Sequence, residues 1–444
     1  MKNYIYKNLR PDEIKRLIER PKIDFKSIFG IVQPIIDRIE TDGDSALKTY
    51  TKEFDGVDID NPIFDPNKIE VELDEEVKKA IDTAFDNIFR FHRAQRTMQL
   101  DVETMPGVKC SRVTKAIQRV GLYVPGGTAV LPSSAMMLAI PAMIAGCEQV
   151  VLATPPQKDG NIAPEIIYIA QKAKVNYILK AGGAQAVAAL ALGTESVSKV
   201  DKILGPGNQY VTAAKMILQN SDAQISIDMP AGPSEVLVIA DKQANPAFVA
   251  ADLLSQAEHG KDSQVVLVST PDFDRNSFNS ELESQLNALP RKEIAQQALD
   301  QSFVIEVDTI EQALSFSNEY APEHLILNVE NSEDYKDDII NAGSVFLGNL
   351  TPESVGDYAS GTNHTLPTYG YAKMYSGVNL SSYQKSITVQ ILTEEGLSCR
   401  TNSLSCRTNV RHLKNSETPL NSLDFSISCF RMINRNDKFV GLLQ

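Results

Sequence analysis

The chain is short of the residues that announce a chemistry at once. Its 444 residues contain five cysteines and five histidines. The cysteines are odd in number and show no paired spacing, so a disulfide framework is excluded and a reducing compartment is expected, with the cytoplasm as the default. No apolar run reaches the ~20 residues of a membrane span. The longest candidate, Leu131 to Cys147, is interrupted by Pro132, Ser133, Ser134 and Pro141. Met1 to Arg20 carries charge throughout and no apolar stretch, so no signal peptide is expected. Positive charge is also scarce. Against 57 Asp and Glu stand 43 Lys and Arg, a net charge of −14, which leaves no basic stripe to displace the counterions of a nucleic acid. Neither a membrane nor a nucleic-acid partner is expected. A G-x-G-x-x-G fingerprint is missing as well; Gly205-Pro-Gly207 comes nearest, with Tyr210 where the third glycine would stand.

What is present is ample core material. Apolar residues make up 43% of the chain and charged residues 23%, and the length calls for two or more domains. Up to about residue 105 the pattern is helical: Asp12 to Glu19, Ile28 to Glu40, a turn at Asp42-Gly-Asp44, Ser45 to Phe54, and Asp74 to Thr97 with Val77, Ile81, Phe85, Ile88 and Phe91 on one stripe. His92, near the end of that last helix, reads as structural. From Arg119 short apolar strands alternate with glycine turns and helices: 119–124, 149–153, 177–180 and 202–204. A second set at 235–240, 264–269, 303–307, 325–329 and 344–347 follows the Pro/Gly-rich link Asp228 to Pro233. Such alternation implies right-handed crossovers and mainly parallel sheets. The expected fold is α/β, with two Rossmann-like units, an N-terminal helical segment and an atypical C-terminal tail. The expected boundaries are 1–118, 119–233, 234–377 and 378–444, the tail being atypical from 398.

Three stretches carry candidate chemistry. In Asp252-Leu-Leu-Ser-Gln256-Ala-Glu258-His259-Gly260, the helical spacing puts Gln256 and His259 on one face, a half-site for a divalent metal such as zinc; a solvated or capping pair has the same spacing. In Tyr320-Ala-Pro-Glu323-His324-Leu325, the proline fixes the backbone so that Glu323 and His324 stand where a strand begins. An adjacent acid and imidazole suit shared acid–base work, and also occur as an idle surface pair. The punctuated loop Gly348 to Pro367 offers Asp357 as a third metal ligand, and His364 as either a ligand or a donor to a neighbouring carboxylate or backbone group. A zinc hydrolase using Glu323 to activate water fits these residues too.

The sequence resembles the histidinol dehydrogenase family. The matching runs are Gly121-Leu-Tyr-Val-Pro-Gly-Gly127, Gly182-Gly-Ala-Gln-Ala186, Val200 to Asn208, Ile227 to Asp241, Asp252 to Gly260, Pro322 to Leu325, and Gly356-Asp-Tyr-Ala-Ser-Gly-Thr-Asn-His364, within a resemblance from about residue 5 to 397. What it implies is a zinc-containing homodimer with a shared active site that oxidises L-histidinol to L-histidine with two NAD. By resemblance, Gln256, His259 and Asp357 are zinc ligands, and the zinc mainly positions the substrate's amine and imidazole. His324 is the base for the alcohol proton and Glu323 activates water. Tyr123, Gln185 and Asn208 contact NAD. Ser234 contacts substrate, along with Gln256, His259, His324 and Asp357.

The tail departs from that pattern. Residues 398–444 contain no alanine, seven Lys/Arg against three Asp/Glu, three of the five cysteines, and a duplication of Leu-Ser-Cys-Arg-Thr-Asn at 397–402 and 404–409. The family carries there a glutamate and, five residues on, a histidine that reaches the partner's zinc. His412 is preceded at that spacing by Arg407. A shifted reading frame and a catalytically impaired family member are the expectations this raises.

Overall fold

The computed structural model describes residues 1–20, 24–126, 130–230 and 232–396. Lys2–Ile5 forms strand β1 and Pro11–Ile18 helix α1, followed by α2 (Phe25–Asp55), β2 (Ile63–Phe64) and α3 (Glu75–Ala94). Asp24 and Asp74 start α2 and α3 by accepting backbone N–H groups of the first turn. The turn expected at Asp42-Gly-Asp44 is a kink inside α2, because Gly43 takes φ +52° and the helix resumes beyond it.

The chain then alternates strand and helix: β3 (Leu100–Met105), β4 (Val108–Ala116), β5 (Arg119–Tyr123), α4 (Pro132–Ala145), β6 (Gln149–Thr154) and α5 (Pro164–Lys172). β7 (Tyr177–Lys180), α6 (Gly183–Leu192), β8 (Lys202–Leu204), α7 (Gln209–Gln219) and β9 (Ser226–Ile227) complete the first set. The second set runs β10 (Glu235–Ala240), α8 (Pro246–Ala257), β11 (Gln264–Ser269), α9 (Arg275–Ala288), α10 (Lys292–Gln301) and β12 (Phe303–Glu306). It ends with α11 (Ile310–Tyr320), β13 (His324–Asn328), β14 (Ser344–Leu347) and α12 (Glu353–Tyr358); β15 (Gln384–Leu392) lies further on.

Two six-stranded sheets result. One has the order β2-β7-β6-β5-β8-β9, parallel except for β2; the other, β1-β12-β11-β10-β13-β14, is parallel throughout. Alternate residues feed opposite faces of each sheet. In the first, Val120, Leu122 and Leu152 enter one core cluster while Tyr123, Val151 and Leu179 enter another. In the second, Val236, Val238 and Val265 face one side and Leu237, Ile239 and Val266 the other. Helices cover both faces, which is why β10 is buried along its whole length and reads as a continuous apolar run. The N-terminal segment supplies an edge strand to each sheet, β1 beside β12 and β2 beside β7.

By contact, the chain divides into two compact units, residues 1–96 with 116–385, and residues 97–115 with those from 386 onward. Both six-stranded sheets belong to the first. The second holds a three-stranded sheet of order β15-β4-β3, with β3 and β4 antiparallel. Among the described residues, no helix is long and apolar enough to cross a membrane.

Candidate functional site

A cavity of about 920 Å³ opens in the first unit, lined among others by Asn208, Ser234, His259 and Glu323. The turns after β5 and β8 supply Pro125 and Gly205 to it, so the first sheet presents the carboxyl ends of its central strands, where doubly wound sheets bind ligands. The second sheet presents the opposite edge: Ser234 and Glu323 stand immediately before β10 and β13.

The first wall is built around Gly205. Its φ of +126° admits only glycine comfortably, and a Cβ there would lie 2.1 Å from the Tyr123 carbonyl oxygen. The turn is pinned by a buried ion pair: Lys215 Nζ is 2.7 Å from Asp228 Oδ1 and donates to the Gly205 carbonyl at 2.6 Å, while Asp228 Oδ2 accepts the Gly205 N–H at 2.7 Å. Asn208 caps α7, accepting from the N–H groups of Tyr210 and Val211. Tyr123 is buried, and its hydroxyl accepts the Gly183 N–H at 3.0 Å. Burial pushes that hydroxyl up to about 12, so it stays neutral. Gln185 is 1% exposed, yet neither its amide oxygen nor its nitrogen has a partner. Tyr123 and Gln185 are not among the cavity-lining residues, whereas Asn208 is.

The second wall holds the titratable cluster. His324, 3% exposed, donates from Nδ1 to the Glu235 carbonyl at 3.1 Å, since a carbonyl only accepts. The lone pair of the neutral ring therefore sits on Nε2, which is buried without a hydrogen-bond partner and 3.5 Å from Asp357 Oδ1. Glu323 accepts the Glu235 N–H at 2.8 Å and lies 3.7 Å from His324 Nδ1. Burial raises the Glu323 carboxyl above its ordinary range. Burial disfavours charge on His324 too, but the Glu323 and Asp357 carboxylates outweigh it and raise the imidazole.

Asp357 sits in α12, four residues after Glu353. Burial opposes its charge, but the His324 imidazole 3.5 Å away and the Glu353 carboxyl hold it well below the usual carboxylate range. Glu353 is pushed up to about 8, first by burial and then by Asp357, so it is protonated near neutrality. It accepts from Gln256 Nε2 at 2.6 Å and Ser255 Oγ at 2.7 Å. That bond turns Gln256 Oε1 the other way, buried and without a partner. Helix α8 stops at Ala257, and His259 follows two residues beyond its end. It lies in a tightened turn, its N–H on the Gln256 carbonyl, and is exposed. Asp357 and His324 are near enough for their charges to act on its ring.

An orphaned amide oxygen, a carboxylate held ionised and an accessible imidazole fit the donor preferences of zinc. An overlapping trio is compact: one donor atom each from His324, Glu353 and Asp357 lie within 4.8 Å of one another. Glu353 was not singled out in the sequence, although its spacing of four from Asp357 on a short helix is a usable signal. His364 takes the backbone alternative. Its Nδ1 donates to the Asp357 carbonyl at 3.1 Å, and Nε2 accepts from the Ser134 hydroxyl at 2.9 Å; burial lowers its pKa and keeps it neutral. His92 is buried with Nδ1 on the Ile88 carbonyl, a structural histidine. Arg407 and His412 lie outside the described residues.

Asp252 belongs to the same wall. It is 6% exposed, and burial pushes it from 3.8 up to about 6. A carboxyl raised on folding favours the folded state fully below the unfolded value and loses that contribution as pH rises through the folded one. The displacement corresponds to about 3 kcal/mol. Asp252→Asn keeps an acceptor for the Glu353 N–H, and is expected to stabilise the chain by up to that amount at pH 8 and by about half as much at pH 5. Urea denaturation at both values measures this; an equal effect at both would show that ionisation of Asp252 is not what costs stability.

A family model described as histidinol dehydrogenase matches residues 18–418, which extends past residue 397, where the sequence resemblance ends. The chain is 61% identical over 399 residues to "Histidinol dehydrogenase, chloroplastic" of Arabidopsis thaliana, covering 89% of this chain and 86% of the relative. It is 54% identical over 391 residues to the "Histidine biosynthesis trifunctional protein" of Komagataella pastoris, covering 87% of this chain and 46% of that longer protein. The crystal structure of histidinol dehydrogenase from Elizabethkingia anophelis superposes with a TM-score of 0.86 at 48% identity, over 93% of this chain and 95% of that one.

Proposed function

The chain belongs to the histidinol dehydrogenase family of oxidoreductases, which serves histidine biosynthesis, and from that premise we propose that it oxidises L-histidinol to L-histidine through the aldehyde, using two NAD and one zinc ion per subunit. The observation that carries this reading is the unpaired, buried Nε2 of His324, beside Asp357 and held in one tautomer by the Glu235 carbonyl. When bound, NAD supplies the hydride acceptor and zinc a positioning charge for the substrate's amine and imidazole. Gln256, His259 and Asp357 would hold the metal, and Tyr123, Gln185 and Asn208 would contact the dinucleotide.

His324, raised by its carboxylate neighbours, serves as the base only once it has lost its own Nε2 proton; in that neutral form Nε2 takes the hydroxyl proton as the carbinol carbon gives up its hydride. Glu323 then takes a proton from the water that adds to the aldehyde; the resulting hydrate anion gives up a second hydride to leave the carboxylic acid, which loses its proton to solvent as the carboxylate. A neutral Glu323 must ionise for that step, and charge on His324 after the first step favours it. Ser234 lines the same cavity within reach of a substrate. A homodimer with a shared site completes the proposal. Its compartment is the cytoplasm, on an odd number of cysteines without paired spacing; among the described residues Cys110 and Cys147 are free, and the plant relative's own name places that protein in the chloroplast.

Purified chain supplied with zinc, histidinol and NAD is expected to form two NADH per histidine. One NADH per histidinol with accumulating aldehyde would remove the second oxidation from the proposal. No NADH from a folded, zinc-loaded chain would remove the activity.

A further inference from the structure

Arg20 takes no part in the chemistry proposed, yet its side chain is 6% exposed and meets Glu235, 1% exposed, through two parallel hydrogen bonds: Nε to Oε1 at 2.9 Å and Nη2 to Oε2 at 2.8 Å. Its remaining nitrogen, Nη1, donates to the carbonyls of Ile18 at 2.8 Å and Tyr320 at 2.7 Å, and the guanidinium lies 3.3 Å from the centre of the Tyr320 ring. Glu235 Oε1 also accepts the Tyr369 N–H at 3.1 Å. We infer that the Arg20–Glu235 pair is a positioning device for both His324 and Glu323, tying the N-terminal arm to the geometry of the reaction.

The inference follows from what Glu235 does with its backbone. Its N–H holds the Glu323 carboxylate, and its carbonyl receives the His324 Nδ1–H. One peptide segment thus sets the orientation of the acid and the tautomer of the imidazole. Glu235 is the first residue of β10 and His324 the first of β13, so each stands where its strand begins. Arg20 acts at both strands. It fixes the Glu235 side chain and, through the Tyr320 carbonyl, the end of α11 from which the chain runs by way of Ala321 and Pro322 into Glu323. Stability alone is a weak reason for such a pair, because buried ion pairs do little better than apolar residues of equal volume. A planar fork that meets a carboxylate, a carbonyl and a ring together suits the placing of two segments, and lysine cannot reproduce it.

The inference rests on the roles proposed for His324 and Glu323, and the test separates the two. Arg20→Lys keeps the charge and loses the fork. Glu235→Gln places an amide donor against the guanidinium. In a zinc-loaded enzyme with an unchanged melting midpoint, each is expected to lower kcat about 10- to 100-fold, the scale that follows a small misplacement of reacting groups. The loss should be equal with histidinol and histidinal as substrate, with KM for both substrates nearly unchanged. In Arg20→Ala, added guanidinium should restore kcat in part; if that variant does not fold, Arg20→Lys and Glu235→Gln decide. Wild-type kcat in both overturns the inference, as does a loss confined to KM or to the melting midpoint. His324→Ala is the control: if it too turns over normally, the proposed roles are at fault, and if it alone fails, only the positioning inference is.

Discussion

Replacing His324 with alanine is expected to slow oxidation of the alcohol by about 10²–10⁴-fold, the range for loss of a general base. The hydroxyl proton then has no acceptor in place of the buried, unpaired Nε2. Glu323→Gln should behave differently. It still permits the first hydride transfer, but it cannot take the proton of the water that hydrates the aldehyde. A single-turnover NADH trace separates the two variants when histidinol and histidinal are supplied in turn. The glutamine variant should give one NADH from histidinol and stall, and the alanine variant should fail at the first. Glu323→Gln also probes what orients residue 323, because an amide that turns its NH₂ toward the Glu235 N–H loses the hydrogen bond seen at 2.8 Å. An identical defect for both variants on both substrates would sink the division of labour.

Much of the fold was legible because it is written locally. The strands of both parallel sheets are short β-branched runs, and burial on both faces leaves them no polar alternation to obscure. Elements with non-local causes were not legible. β1 is four residues long and gains its identity from β12, 301 residues away at the pair Lys2 and Phe303. The β3–β4 hairpin and β15 carry exposed residues on most positions, so their pattern resembles a polar loop. The site divides in the same way. Glu323, His324, Asp357 and Gln256 stood in dense local stretches, and the structure packs them into one wall. Arg20 and Glu235 each look ordinary in sequence, because the meaning of the pair lies in a separation of 215 residues. Lys215 and Asp228 are similar: their charges are legible, but their burial around the Gly205 turn is not.

The metal is where two readings of the same wall part, and substitution separates them by a readout other than turnover. Asp357 belongs to both ligand sets, so Asp357→Ala is expected to strip zinc from the dialysed protein and to reduce turnover by more than about 10²-fold, in the range of losing a general acid–base or positioning group. Gln256→Ala should also lose metal, since its orphaned Oε1 is the donor in the proposed set. His324→Ala should retain it. Glu353→Gln should retain it as well: Glu353 is already neutral near pH 7, and glutamine still offers an acceptor to Gln256 and a donor to Asp357. Zinc per chain, measured after dialysis by atomic emission, decides between them. Loss in His324→Ala and Glu353→Gln with retention in Gln256→Ala would move the ion to the His324, Glu353 and Asp357 trio. That outcome would also remove His324 as a free base, because its Nε2 lone pair would be engaged with the metal. The acid limb adds an independent check. Bound metal requires unprotonated ligands, and Asp357 is held well below the usual carboxylate range. Zinc release on acidification should therefore follow protonation of the His259 imidazole, and His259→Ala should abolish that step of the titration along with the bound metal.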